Sequence, residues 1–222
     1  MAVAVSSAML RSVPLFASFP EEPLRLLATV VARRSATRGS IIMAAGDPTD
    51  SLYIVISGRL KVMMSDADGK EVILSILGPG EFFGEMGLID DSPRSASVVA
   101  IEPCELLCIT RRDFKKCLAE NFDMAMAVMR GLVRRLREAD RKIGSLALLD
   151  VYGRVARLLL DMSETVDGQK MVTKRLPKQD IAKMIGASRE MVSRVMKDLQ
   201  LGGYIEVQGA KILLREKILL PE

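Results

Sequence analysis

Apolar residues follow three successive spacings along the chain, and each spacing predicts a different kind of structure. Between Glu21 and Val31 they recur at helical spacing, with Pro23 in the first turn, which predicts a short helix. From Ser35 to Ile109 short apolar runs alternate with glycine-containing turns, which predicts an antiparallel sandwich or barrel. The runs are SLYIVIS, LKVMM, EVILSIL, SASVVAI and ELLCIT, and Asp68-Gly69 between the second and third is a hairpin signal.

After Thr110 the pattern turns helical, with a short helix in RDFKKCLAENF and a long one from Asp123 to Leu149. In the long helix an apolar seam repeats at spacings of 4 and 3, and arginines flank it. The period of 3.5 residues is typical of helices that pair in coiled coils, so we expect a homodimer through residues 125–146. The alternative is that the seam packs on the β domain. The seam residues are Ala125, Met129, Leu132, Leu136, Ala139, Ile143 and Leu146.

The C-terminal part predicts a helix-turn-helix with a β wing. A further helix begins at VYGRVARLLLDM, and the polar stretch Ser163–Lys170 is expected to be a surface loop. Beyond it, Gly186 ends a short helix that starts near Pro177, and Ser188 can cap a second one. YIEVQGAKILL then predicts two strands around Gln208-Gly209. The residues expected to face inward are Ile181, Ala182 and Ile185 on the first helix and Met191, Val192, Val195, Met196 and Leu199 on the second.

The outward face of the second helix carries the side chains expected to contact DNA. An arginine near a helix N-terminus can donate to guanine O6 and N7, and a glutamate can accept from cytosine N4. Lysines are better suited to phosphates. The alternative is an ordinary solvated charged face. The candidate DNA-binding residues are Ser188, Arg189, Glu190, Ser193 and Arg194 for the bases and the helix start, with Lys178 and Lys197 for phosphates.

The segment GEFFGEMGLIDDSPRSAS, residues 80–97, has the composition of a site for a nucleotide. Arg94 can bind a phosphate through its planar fork, and Glu85 can accept from a ribose hydroxyl. Gly84 and Gly87 allow backbone amides to approach a ligand, and a short helix after Gly84 would add a favourable dipole. The alternative is an Arg94–Glu85 ion pair that serves stability alone, although such a buried pair is seldom worth its desolvation cost.

Composition narrows the functional classes. The 222 residues suffice for two modest domains, and the formal net charge of +4 is carried by the region after Met171, where ten Lys and Arg stand against six Asp and Glu. There is no histidine, which argues against most enzymes, against haem and against a metal site. No run is long enough to span a bilayer, so we expect a cytoplasmic protein without a membrane partner.

The three cysteines leave one alternative open. Cys104, Cys108 and Cys117 match no common zinc spacing, and free reduced thiols are expected. A cysteine-based redox switch with a vestigial nucleotide pocket is the other interpretation.

From about Leu15 onward, the chain resembles the CRP/FNR family of bacterial transcription regulators. The resemblance lies in the order of its parts, which are a β-roll, the phosphate segment, a long helix and a winged helix-turn-helix. GEMGL with PRSAS, and GASREMVSRV, carry the resemblance most strongly. It implies an α+β fold: a cyclic-nucleotide-binding, jelly-roll-like β-roll (1–122), a dimerisation helix and hinge (123–150), and a winged helix-turn-helix domain (151–222). It also implies RNA polymerase as a partner, through Ser163–Lys170, and a palindromic TGTGA-type operator read by Arg189, Glu190 and Arg194.

By the same resemblance, the ligand is a cyclic nucleotide bound by residues of the two N-terminal motifs. Glu85 and Gly84 would bind the ribose, Arg94 and Ser95 the cyclic phosphate, and Met86 and Ala96 would line the site. Cyclic-AMP receptors of the family commonly present a Thr-Ser pair to the adenine, whereas the aligned residues here are Ala139 and Asp140.

The identity of the nucleotide depends on Asp140. A carboxylate can accept from adenine N6, but it fits the adjacent N1–H and N2–H donors of guanine better. Cyclic AMP is the expected ligand because the phosphate-binding residues of cyclic-AMP-responsive members are all present, and the fit of Asp140 to guanine makes cyclic di-GMP the alternative, with Arg137 or Arg141 on its second phosphate. Asp140 as a plain solvated charge is equally compatible with the sequence.

Overall fold

The structure, a computed structural model, describes residues 5–174, 176–215 and 218. The chain forms two compact units that divide between Arg135 and Leu136. Helices and strands are numbered in chain order.

The first unit is a β-roll with short helices before and after it, which confirms the predicted fold class. Two antiparallel four-stranded sheets have the orders β1-β8-β3-β6 and β2-β7-β4-β5. β4 and β5 form the hairpin predicted at Asp68-Gly69. The strands are Ala32–Ala36, Ile41–Met43, Ser51–Ser57, Leu60–Ser65, Glu71–Leu77, Phe82–Phe83, Ser97–Ala100 and Cys104–Thr110 (β1–β8), and the α-helices are Ser7–Arg11, Glu21–Val30, Met86–Ile89 and Arg111–Glu120 (α1–α4).

The continuous apolar runs of the central strands are explained by burial on both faces. In β3, Tyr53 and Val55 face the interior of the roll, whereas Leu52 and Ile54 belong to a second cluster with the helices. That second cluster includes Phe16, Leu24, Phe114 and Met124. A strand buried on both sides has no polar face, so its residues do not alternate.

The long helix α5, Phe122–Leu148, begins one residue before the predicted start and ends one before the predicted end. Its first half, to Arg135, belongs to the first unit. Several seam residues are exposed, with exposed fractions from 47% at Met129 to 65% at Ile143. No helix within the described ranges is apolar over enough length to cross a membrane.

The second unit contains the predicted helix-turn-helix. Gly186 ends the first helix in the left-handed conformation (φ 65°), which favours glycine, and the Ser188 hydroxyl accepts from the Met191 amide at 3.1 Å. All the residues expected inward are buried except Met191, which is 37% exposed, so the prediction for Met191 is wrong. The elements are α6 (Val151–Asp161), β9 (Glu164–Val166), β10 (Gln169–Val172), α7 (Lys178–Ile185), α8 (Arg189–Leu201), β11 (Ile205–Gln208) and β12 (Lys211–Leu214).

The wing contains four strands rather than two. Its sheet has the order β11-β12-β10-β9, so the predicted hairpin at Gln208-Gly209 is confirmed and a second hairpin adds to it. This second hairpin runs over residues 164–172 and so covers most of Ser163–Lys170, and the prediction of a loop there is wrong. Asp167 and Gly168 both have positive φ, the geometry of a two-residue hairpin turn. Because the segment is polar, its Asp-Gly pair was interpreted as part of a loop and not as a hairpin turn.

Candidate functional site

The segment after β6 is built around two glycines that no other residue can replace without movement. Gly84 has a φ of 83°, and a Cβ there would lie 2.4 Å from Nη1 of Arg94. A Cβ on Gly87 would lie 2.2 Å from the Ser92 carbonyl oxygen. The glycines therefore allow residues 84–95 to fold back on themselves as a compact turn with α3 inside it. We call residues 84–95 the phosphate cassette.

Arg94 is buried, and its guanidinium donates to the roll. Nη1 donates to the carbonyl of Gly84 at 2.9 Å, and Nη2 donates to the carbonyl of Ser51 at 2.8 Å and to the Asp50 carboxylate at 3.1 Å. The hydrogen bond from Ser51, followed by the charge of Arg94, holds the pKa of Asp50 below its ordinary value. The planar fork is thus oriented by backbone groups that come from two separate segments.

Glu85 is also buried, but its partner is Arg135 and not Arg94. Nη1 of Arg135 donates to the Glu85 carboxylate at 2.5 Å, and Nη2 donates to the carbonyl of Phe82. The guanidinium carbon also lies 5.0 Å from the centroid of the Phe82 ring. The alternative of an Arg94–Glu85 pair is therefore wrong. In the sequence Arg135 is only a charge beside the seam, because no local signal links it to a residue 50 positions earlier.

The other candidate residues in and next to the cassette differ in exposure. Met86 and Ser95 are exposed, and the Ser95 hydroxyl lies 3.8 Å from the Met86 sulfur, whereas Ala96 is buried. The structure thus brings Gly84, Glu85, Met86, Arg94 and Ser95 into one turn.

Glu85 and Arg94 are the only buried charged residues in the part of the chain that the structure describes. Burying a charge is costly unless it is paired and hydrogen-bonded. Glu85 and Arg94 each have charged and hydrogen-bonding partners, so both requirements are met. The exposed residue Ser95 directly follows Arg94. A carboxylate acceptor and a guanidinium donor in the same turn suit a ligand that has both a hydroxyl and an anionic group.

The remaining ligand candidates lie on the part of α5 that belongs to the second unit. Arg137, Asp140 and Arg141 are all exposed there.

The helix-turn-helix presents the expected charged surface. Arg189, Glu190, Arg194 and Lys197 are exposed on α8, and Ser193 and Lys178 are half-buried. The cap residue Ser188 is exposed as well. α8 has 13 residues, enough for an N-terminal half that reads base edges in a major groove. The position of these side chains matches the predicted surface, while contact with DNA is a proposal.

Cys104 and Cys117 have the properties of structural thiols. Burial raises the pKa of Cys104, whose Sγ donates to the carbonyls of Arg59 and Glu102. Burial, together with the charges of Glu120 and Asp113, raises the pKa of Cys117. Because the thiolate is the reactive form, raised pKa values make a thiol slow to oxidise. Among the described residues, no group of three or more His, Cys, Asp or Glu side chains is placed to bind a metal ion.

Alkylation of the thiols tests the alternative of a redox switch. We expect Cys104 and Cys117 to be alkylated slowly. A raised pKa lowers the fraction of thiolate at pH 7.5, so iodoacetamide should modify both thiols slowly in the folded protein. The same thiols should react fully in urea, as mass spectrometry of peptides will show. Rapid alkylation of native Cys104 and Cys117, with loss of DNA binding, would support the redox switch instead.

Comparison with known proteins matches both units. The family model for the cyclic nucleotide-binding domain matches residues 33–121, and that for the Crp-like helix-turn-helix domain matches residues 153–219. A cAMP-activated global transcriptional regulator CRP from Pasteurella multocida is 37% identical over 79% of this chain and 86% of that protein. A CRP-like cAMP-activated global transcriptional regulator from Mycobacterium tuberculosis is 34% identical over 81% and 82%, respectively.

A solved structure is similar as well. The c-di-GMP responsive global regulator CLP of Xanthomonas campestris is 30% identical, with a TM-score of 0.72 over 88% of this chain and 99% of that one.

Proposed function

Because the chain belongs to the CRP/FNR family of bacterial transcription regulators and contains a cyclic nucleotide-binding domain, we propose that it is a homodimer activated by cyclic AMP. In this proposal the ligand favours a state that binds a palindromic TGTGA-type operator. RNA polymerase is the proposed further partner, through the β9–β10 hairpin, and the cytoplasm is the proposed location. No catalytic step is part of the proposal.

The observation that carries the ligand proposal is the pair of buried charges in the phosphate cassette. Arg94 already donates to backbone carbonyls on two sides, so its fork is held in one orientation before a phosphate arrives. Preorganisation of this kind lowers the entropic cost of binding. Arg135 connects Glu85 to α5, so a ribose hydroxyl that engages Glu85 would change a contact of the long helix. This connection supports a ligand that biases two arrangements of α5.

Cyclic di-GMP is the second candidate ligand, and two observations favour it. Asp140 is an exposed carboxylate between two exposed arginines, and the similar Xanthomonas protein is described as c-di-GMP responsive. Cyclic AMP is preferred because the curated relatives, at 34–37% identity, are described as cAMP-activated and because the cassette suits a single cyclic phosphate.

Calorimetric titration of the purified protein with cyclic AMP, cyclic GMP and cyclic di-GMP tests the proposal. We expect one site per chain and the tightest binding for cyclic AMP. Tightest binding of cyclic di-GMP would select the second candidate. Absence of binding for all three would contradict the ligand proposal.

The dimer proposal predicts that a charge in the exposed seam separates the subunits. Ile143 is 65% exposed in the single chain, so Ile143→Glu should cost the monomer little stability yet place a carboxylate in the apolar contact between two copies of α5. We expect the mass measured by light scattering to halve at micromolar concentration.

The matched control is Leu26→Glu on α2, which is 67% exposed and lies outside the seam. It should leave the mass unchanged. A wild-type protein that is already monomeric, or an Ile143→Glu variant that remains dimeric, would contradict the seam as the interface.

A further inference from the structure

Arg111, the first residue of α4, is hydrogen-bonded both to the phosphate cassette and to the loop before β3. Its Nε and Nη2 donate to the carbonyl of Thr49 at 3.2 and 2.6 Å, and Nη2 also donates to the carbonyl of Gly87 at 3.2 Å. Nη1 donates to the carboxylate of Asp91. The three nitrogens of one planar group thus engage three acceptors, one from the loop before β3 and two from the phosphate cassette.

The acceptors of Arg111 are adjacent to the groups that orient Arg94. Thr49 precedes Asp50 and Ser51, both of which accept from Arg94. The backbone amide of Arg111 also donates to the carbonyl of Asp50 at 2.7 Å. On the other side, Gly87 lies in α3, two residues after Glu85. Arg111 therefore fixes the separation between the loop that holds Arg94 and the helix that follows Glu85.

These segments are packed with no room for adjustment. The Thr49 hydroxyl donates to the carbonyl of Ser92 at 2.9 Å, and Thr49 is buried. A Cβ on Gly87 would lie 2.3 Å from the Thr49 hydroxyl oxygen and 2.2 Å from the Ser92 carbonyl oxygen. Close packing transmits displacement, so a shift at the Arg111 contacts would move the cassette backbone.

Asp91 adds a constraint at the turn before Arg94. It has a φ of 57°, a left-handed conformation that is uncommon outside glycine, although Asp tolerates it better than most residues. Lys115 also donates to its carboxylate, at 3.2 Å, and the two cations, Lys115 first and then Arg111, hold the pKa of Asp91 below its ordinary value. The carboxylate is thus ionised at neutral pH and ties the turn to α4.

We propose that Arg111 is a positioning residue of the cyclic-nucleotide site, which holds Arg94 and the cassette backbone in binding geometry without touching the ligand. This inference rests on the function proposed above. Arginine is required because the planar guanidinium can donate to the Thr49 loop and to the cassette at the same time. A lysine ammonium is instead a compact charge on a flexible side chain. No local pattern signals this role, because Arg111 lies next to Arg112 in an ordinary helix start.

The test compares Arg111→Gln with Arg112→Gln. Arg112 is the exposed neighbour in the same helical turn, so the control removes the same charge at nearly the same place. The measurement is the Kd of cyclic AMP by calorimetry, at a temperature at which circular dichroism shows each variant to be fully folded. We expect roughly a tenfold or larger increase in Kd for Arg111→Gln, about 1.4 kcal/mol or more, and less than a twofold change for Arg112→Gln.

If Arg111→Gln does not fold, two milder variants test the same inference. They are Arg111→Lys and Thr49→Val. Arg111→Lys retains the charge without the fork, and Thr49→Val removes the hydroxyl bond to Ser92 at similar size. Both should raise the Kd of cyclic AMP several-fold, in the same direction as Arg111→Gln.

The possible outcomes separate this inference from the proposed function. A lower melting temperature with an unchanged Kd in these variants would overturn the inference and leave Arg111 as a purely structural residue. If wild type and Arg112→Gln bind none of the cyclic nucleotides, the proposed function fails, and the inference fails with it.

Discussion

Arg94→Lys is expected to weaken cyclic AMP binding by about 100-fold while the β-roll remains folded. Arg94 can donate to a phosphate from the hydrogens that do not bind Gly84, Ser51 or Asp50, and each charged hydrogen bond contributes about 1.5–3 kcal/mol. Lysine keeps the positive charge but not the fork, so it cannot form one or both of these bonds. We choose lysine because leucine would leave the carbonyls of Gly84 and Ser51 buried without their donor.

Arg59→Lys is the matched control for this substitution. Arg59 forms a partly buried fork with Glu102, donating at 3.2 and 3.0 Å, and it lies in the turn between β3 and β4. Its replacement removes an equivalent pair of hydrogen bonds from the same domain. The Kd of cyclic AMP should be unaffected by Arg59→Lys, and equal increases in Kd for both variants would mean that the effect reports domain stability and not a ligand contact.

Arg194→Gln is expected to reduce operator binding more than binding to unrelated DNA. An arginine that donates to guanine contributes about 1–3 kcal/mol of discrimination, and in a dimer the substitution affects both half-sites. Arg194 is exposed on α8, so its replacement should leave the melting temperature unchanged. Fluorescence anisotropy with a TGTGA palindrome and with a scrambled duplex measures the two affinities.

Lys178→Gln provides the contrast. If Lys178 binds a phosphate, its replacement should weaken binding to both duplexes equally and lower the slope of log K against log salt by about one for each phosphate that is no longer neutralised. The assignment of roles would be contradicted if Arg194→Gln weakened binding to both duplexes equally, or if Lys178→Gln changed only operator binding.

Local sequence patterns were sufficient for many of the elements, although not for the β9–β10 hairpin. The strand runs, the Asp68-Gly69 hairpin and the Gly186–Ser188 turn depend on neighbouring residues, and each is confirmed. The prediction for Met191 failed because this residue lies at the edge of the apolar face of α8, where helical spacing does not determine exposure.

The partners of the site residues could not be predicted, because they come from distant parts of the chain. Glu85 pairs with Arg135 on α5, and Arg94 pairs with Asp50, which lies 44 residues earlier. Both contacts depend on how β3, β6 and α5 pack, and strand order has no local signal. The candidate residues themselves were chosen because a phosphate and a sugar require particular side-chain types, and their contact with a ligand stays a prediction.

The central claim is that a cyclic nucleotide in the first unit and DNA on the second bind cooperatively. Coupling between sites is reciprocal, so the factor by which cyclic AMP raises operator affinity must equal the factor by which the operator raises cyclic AMP affinity. The most direct measurement is therefore the Kd of cyclic AMP with and without saturating TGTGA operator. We expect a decrease of about 5- to 150-fold with the operator, and none with a scrambled duplex. An identical Kd in all three conditions would contradict the claim.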